Sequence, residues 1–232
     1  MRINCFQHAP FEGPAAFEHW AAVRGHTLRT TKLYENDPLP DLESFDFLLI
    51  MGGPMNIDEE ALYPWLLEEK RFIHNAIRSG KTVIGVCLGA QLIADLLDGK
   101  VYKGEHKEIG WFPITFSQAA RASKIFGFLP EQITVFHWHG DTFTLPPQAA
   151  HIAESEGCRQ QAFLYNDRVL GLQFHLEMTE ESLQQMVQNG ENELIDGRYI
   201  QHAEEIRAAR DHLQVIHNAL FGILDRLPSC GQ

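Results

Sequence analysis

Basic residues are scarce in this chain: 19 Lys and Arg stand against 31 Asp and Glu, and 232 residues carry a formal charge of −12. No Lys/Arg-rich run offsets that balance, which argues against nucleic acid and anionic membrane surfaces as partners. Cysteine is sparse as well. Cys5, Cys87, Cys158 and Cys230 lie far apart and form no CxxC pair, so neither a disulfide framework nor a zinc site is suggested. No apolar run approaches the ~20 residues that span a bilayer. The start, Met1-Arg-Ile-Asn, lacks the apolar segment and cleavage site of a secretory leader. Repeats, low-complexity tracts and linkers are missing too. The expectation is a cytoplasmic protein folded as a single domain over residues 1–232, in a reducing setting that keeps a reactive thiol free.

What is present is organised around Lys81-Thr-Val-Ile-Gly-Val-Cys87-Leu-Gly-Ala-Gln91 and the residues that follow. Val83, Ile84 and Val86 make a run apolar on both faces, as in a buried parallel strand. After Cys87 the period changes: Leu88, Leu92, Ile93, Leu96 and Leu97 follow helical spacing, and Asp98-Gly99 supplies a stop. Cys87 therefore marks a strand-to-helix joint, with Gly85 and Gly89 two residues to either side. This is the nucleophile-elbow pattern with Cys in place of Ser. A thiol at a helix N-terminus meets free N–H groups and the positive end of the helix dipole, which favour the attacking thiolate. The alternative is a small buried core cysteine, but packing alone does not require the double glycine bracket.

The rest of the first half alternates strand and helix. Strands are expected at Arg2 to His8, His26 to Leu33 and Phe45 to Met51, and helices at Ala15 to Arg24 and Pro64 to Ser79. Such alternation predicts a mostly parallel, doubly wound α/β sheet with right-handed crossovers. The second half reads as a smaller antiparallel element, with short strands at Lys100 to Lys103, Ile109 to Phe116, Ile133 to His137, His151 to Glu154, Ala162 to Asn166 and Val169 to Phe174. Asn166-Asp167 reads as a hairpin turn. Thr179 reads as the N-cap of a helix, and one long C-terminal helix is expected from Gln201 to Leu227. No segment able to bind ATP and an acceptor is expected in that tail.

Three segments are candidates to converge on Cys87. Gly52-Gly-Pro54 ends the preceding strand. There the N–H of Gly53 and that of Leu88 are candidates for an oxyanion hole, although taken alone the pair is a plain strand-to-helix turn. Leu170-Gly-Leu-Gln-Phe-His175-Leu-Glu177 delivers an imidazole with a carboxylate two residues on. A base with an orienting carboxylate is what a Cys nucleophile needs, while an isolated His-x-Glu is usually a satisfied core histidine and a solvated Glu. His137-Trp-His139-Gly-Asp141 at a strand end invites a metal reading. No further ligand cluster of suitable spacing accompanies it, and a substrate-recognition loop is the preferred reading.

Taken together, these motifs resemble the class I (triad-type) glutamine amidotransferases, and in particular the amidotransferase part of GMP synthetase. Gly-Val-Cys87-Leu-Gly-Ala-Gln91 looks like their nucleophile motif, His175-Leu-Glu177 their His-x-Glu motif, Gly52-Gly-Pro54 their oxyanion strand, and His139-Gly-Asp141 the segment that holds the substrate's amino-acid end. Leu176 departs from the proline common between His and Glu. The resemblance implies a flavodoxin-like sheet and hydrolysis of the glutamine side-chain amide through a γ-glutamyl thioester. Cys87, His175 and Glu177 would be the catalytic residues, Gly53 and Leu88 the oxyanion hole, and Gly52, Gln91, Trp138, His139, Gly140 and Asp141 the substrate site. It implies no metal or cofactor. The partner would be glutamine or a γ-glutamyl compound, with a synthetase protein as a further candidate. Two other readings stay open: a γ-glutamyl amide or peptide hydrolase, and a catalytically silent regulatory module.

Overall fold

The computed structural model describes residues 1–228; Cys230 lies outside the described residues. One nine-stranded sheet forms the frame. In chain order its elements are β1 (Arg2–Gln7), α1 (Ala16–Val23), β2 (Thr27–Lys32), β3 (Phe47–Ile50), α2 (Trp65–Arg78), β4 (Thr82–Val86), α3 (Leu88–Leu96) and β5 (Val101–Phe116). There follow α4 (Gln118–Ala122), β6 (Gln132–Phe143), β7 (Ala150–Ser155), β8 (Ala162–Tyr165), β9 (Val169–Leu172), α5 (Glu180–Asn189), α6 (Ala203–Ala208) and α7 (Asp211–Leu224). The spatial order is β2-β1-β3-β4-β9-β8-β7-β5-β6. Strands β2, β1, β3, β4 and β9 run parallel, and β8, β7, β5 and β6 extend the same sheet antiparallel.

Both faces of the parallel part are covered, so its strands are apolar throughout. In β3, Phe47 and Leu49 join the core on one face with Phe17 and Trp20 of α1 and Leu220 and Ile223 of α7. Leu48 and Ile50 point the other way, to Leu66 and Ile73 of α2 and Leu92 and Ile93 of α3. The two-residue side-chain alternation of a strand thus serves two helix layers. Asn166 (φ 50°) and Asp167 (φ 57°) both take the left-handed conformation that a two-residue type I′ hairpin needs. Thr179 caps α5, its hydroxyl accepting the Ser182 N–H at 3.2 Å.

Three expectations are corrected. The segments at Lys100 to Lys103 and Ile109 to Phe116 are one strand, β5, with a register shift between Lys103 and Glu108. Strand β6 continues to Phe143, so His137 to Asp141 lies within a paired strand and not in a loop; Glu108 sits opposite His139 and Lys103 opposite Asp141. The long C-terminal helix is broken between α6 and α7. Trp111 Nε1–H donates to the Ile206 carbonyl at 3.1 Å, the acceptor a continuous helix would offer to the Arg210 N–H. That N–H turns instead to Ala208 O, at 3.0 Å.

The joint between β4 and α3 is the tightest backbone packing around the site. A methyl group on Gly85 would collide with the Gly89 carbonyl, and one on Gly89 with the Ile50 carbonyl. Intrinsic propensity alone makes Gly→Ala in a helix favourable by about 1 kcal/mol. Gly89→Ala is expected instead to destabilise the protein by about 1–3 kcal/mol, the usual range for overpacking. Equilibrium urea unfolding reads the sign.

Candidate active site

The carboxyl ends of β1, β3 and β4 meet β6 and the C-terminal end of α5 around a cleft of about 250 Å³. That is smaller than the ~300–1,000 Å³ of drug-sized ligand sites and suits an amino-acid-sized molecule. Cys87, Gly53, Leu88, Gln91, Trp138, His139, Gly140 and Asp141 all line it. His175, Glu177 and Gly52 lie behind that lining, almost fully buried.

Cys87 joins β4 to α3 with φ 51° and ψ −108°, in the positive-φ region that L-residues rarely adopt. Its N–H donates to Leu172 O at 2.7 Å, and its carbonyl accepts from the N–H groups of Ala90 (3.0 Å) and Gln91 (3.1 Å). Held this way the thiol is half-buried at the helix N-terminus, 3.6 Å from the Trp138 carbonyl.

The chain leaves β9 to reach His175, whose backbone N–H donates to Phe136 O at 2.8 Å. The ring Nδ1 lies 2.6 Å from Glu177 Oε1. Glu177 Oε2 accepts the Leu176 N–H at 3.0 Å. A proline at 176 has no N–H to give, so this departure from the family pattern adds a donor that fixes the carboxylate. Burial pulls the His175 pKa down, but Glu177 and the Cys87 sulfur more than offset it and leave the imidazole well above its ordinary value. Nε2 has no nitrogen or oxygen partner among the described residues and is the ring atom left to act on a thiol or substrate.

On the cleft wall, Gln91 Nε2–H donates to Gln173 Oε1 (3.1 Å) and Asp141 O (3.4 Å). His139 Nδ1 lies 3.1 Å from Asp141 O, and its Nε2 lies 3.3 Å from Glu108 Oε2. The carboxylate paired with His139 is therefore Glu108, which only the β5–β6 register brings opposite it. Glu108, His137 and His139 place ligand-type atoms within 4.8 Å of one another, a donor set of the kind that holds zinc or iron. The Glu108 carboxylate is already engaged, however, by Ser155 Oγ (2.7 Å) and Gln161 Nε2 (2.6 Å) as well as His139. All three side chains are closed to solvent. Burial pushes the His137 pKa down to about 3, so that ring is neutral. Neither ring nitrogen of His137 has a hydrogen-bond partner among the described residues.

The sequence did not single out Glu12, Lys107 or Glu193, all in the lining. Lys107 Nζ pairs with Glu193 Oε2 at 2.8 Å, and Trp138 Nε1–H donates to Glu193 Oε1 at 3.1 Å. The Glu12 carboxylate lies against Gly52, where any side chain would strike it. Burial raises its pKa to about 7, partly countered by His175 and His8. The one signal for Glu12 was its position just past the carboxyl end of β1.

Residues 16–193 match the family model for glutamine amidotransferase class-I. The chain is 36% identical to the glutamine amidotransferase-like protein YfeJ of Salmonella typhimurium, over 98% of this chain and 97% of that one. It is 33% identical to a subunit of the glutamine-hydrolyzing GMP synthase of Thermoplasma acidophilum, over 64% of this chain and 72% of that one. The crystal structure of a glutamine amido transferase from Methylobacillus flagellatus superimposes with a TM-score of 0.91 at 28% identity, covering 100% of this chain and 97% of that one.

The Glu177 charge stabilises the imidazolium form of His175, so Glu177→Gln is expected to lower the His175 pKa. NMR titration of the imidazole reads the shift; an unchanged or raised value contradicts the pairing.

Proposed function

Because the chain belongs to the class-I glutamine amidotransferase family, we propose that it hydrolyses the side-chain amide of glutamine to glutamate and ammonia. The observation that carries this reading is the half-buried Cys87, in its positive-φ turn at the start of α3, with the Glu177-bonded His175 behind it.

Each step has a group suited to it. The Cys87 thiol passes its proton to His175 Nε2, and the sulfur attacks the amide carbon. The negative oxygen of the tetrahedral intermediate receives the N–H groups of Gly53 and Leu88. Imidazolium then protonates the departing nitrogen, the C–N bond breaks, and ammonia leaves behind a γ-glutamyl thioester. Water attacks the thioester with His175 as base, the C–S bond breaks, and glutamate is released with the thiol restored. Glu177 holds the ring in one orientation throughout. Gln91, Trp138, His139, Gly140 and Asp141 hold the amino-acid end, and Gly52 supports Gly53 from behind. The relatives named as GMP synthase subunits favour a synthetase protein as a recipient of the ammonia. Among the described residues no helix is long and apolar enough to cross a membrane.

Glutamate release from glutamine by wild type and by Cys87→Ala tests the reading. Loss of the nucleophile is expected to lower turnover by about 10⁴-fold or more. Full turnover by the variant overturns the mechanism. Turnover of γ-glutamyl amines with none of glutamine moves the substrate while keeping the machinery.

A further inference from the structure

A second histidine–glutamate pair lies directly beneath the proposed oxyanion hole, where no step of the mechanism uses it. His8 follows β1, and Glu69 projects from α2; both side chains are closed to solvent. His8 Nε2 lies 2.8 Å from Glu69 Oε1, and His8 Nδ1 lies 3.0 Å from the carbonyl oxygen of Gly52. The ring stacks on Trp65, centroids 5.5 Å apart and planes 26° from parallel. Each ring nitrogen faces an oxygen that can only accept, which calls for a hydrogen on both. The electrostatics agree: burial pulls the His8 pKa down, but Glu69 foremost, then the Gly52 carbonyl and Glu12, raise it above the ordinary value.

The Gly52 carbonyl belongs to the same planar unit as the Gly53 N–H. No peptide bond among the described residues is cis, so the two groups point in opposite directions. A donor that fixes the carbonyl therefore fixes the N–H at the opposite edge of the same peptide plane, pointing away from His8. Gly53 itself lines the cleft with Cys87 and Leu88. Two adjacent glycines have unusually free dihedrals, so without an anchor this peptide is free to rotate.

We propose that the buried His8–Glu69 pair is a positioning device that locks the Gly52–Gly53 peptide with its N–H turned to the cleft, so that the isolated chain carries an assembled oxyanion hole without a partner protein. This rests on the assignment of Gly53 as an oxyanion donor. His8 acts through the peptide and touches no substrate.

The test uses the full chain and separates folding from positioning. Replacing a buried ion pair by apolar residues is often neutral or stabilising, whereas removing one partner strands a buried charge. The double variant His8→Leu/Glu69→Met is therefore expected to melt no earlier than wild type. Its kcat for glutamine is expected to fall by about 10²–10³-fold, the effect of losing one oxyanion donor, with KM little changed. In amide NMR spectra the Gly53 signal is expected to broaden or split as the peptide samples a second orientation. His8→Asn, whose side-chain N–H replaces the Nδ1–H donor, combined with Glu69→Gln, is expected to recover most of the kcat and a single sharp Gly53 signal. A folded double variant with wild-type kcat overturns the lock, and so does a loss of kcat with the Gly53 signal still single and sharp. If wild type hydrolyses no glutamine, the function proposed above fails, and the Gly53 signal still decides whether the lock exists.

Discussion

The site depends on backbone packed directly against backbone where β4 turns into α3. Gly85 lies against the Gly89 carbonyl, and Gly89 against the carbonyl of Ile50 at the end of β3. No side chain fits between these three segments. Their closeness forces the turn at Cys87 into positive φ and lets α3 start at once, so the thiol is delivered to free helix N–H groups with no intervening loop. It also sets the end of β3 beside Cys87, which brings Gly53 and Leu88 into one wall. A strained residue persists only where its surroundings over-determine it, and here the surroundings are two parallel strands, a helix and the Leu172 carbonyl of β9.

Charge inside the molecule follows a second pattern. Three buried histidines pair with three buried glutamates: His8 with Glu69, His139 with Glu108, His175 with Glu177. An isolated buried carboxylate is strongly unfavourable, and a paired and hydrogen-bonded one is tolerable. Each pair sits beyond or within a different strand, and each imidazole fixes something different. His8 bonds the peptide ahead of Gly53, His139 bonds Glu108 and the Asp141 carbonyl, and His175 keeps Nε2 clear of nitrogen and oxygen partners among the described residues. An acidic chain thus keeps three histidine–glutamate pairs buried near one edge of its sheet.

How far the residues could be read in advance varied by segment. Cys87 and its glycine bracket were legible because local periodicity changes there from strand to helix. The parallel arrangement of the first half followed from strand–helix alternation, and the Asn166-Asp167 hairpin from turn chemistry; the strand order did not. The extent of β6 was not legible, because His137 to Asp141 is polar and matches neither periodicity; its pairing with β5 makes it a strand. The break after α6 was hidden for a similar reason, since the indole that takes the Ile206 carbonyl arrives from a residue far back in the chain.

By itself, the sequence determined the α/β class, the elbow cysteine, the His-x-Glu segment and the family likeness, because each is encoded within a few neighbouring residues whose spacing carries the physics. Only the tertiary structure decided that Glu108 serves His139 and Glu69 serves His8, that Glu12, Lys107 and Glu193 share the cleft with Cys87, and that His8 reaches across to Gly52. Such contacts join residues distant in the chain, 44 positions apart for His8 and Gly52 and 86 for Lys107 and Glu193. Chain-local patterns cannot specify them, because they come into being when parallel strands align their carboxyl ends along one edge of the sheet.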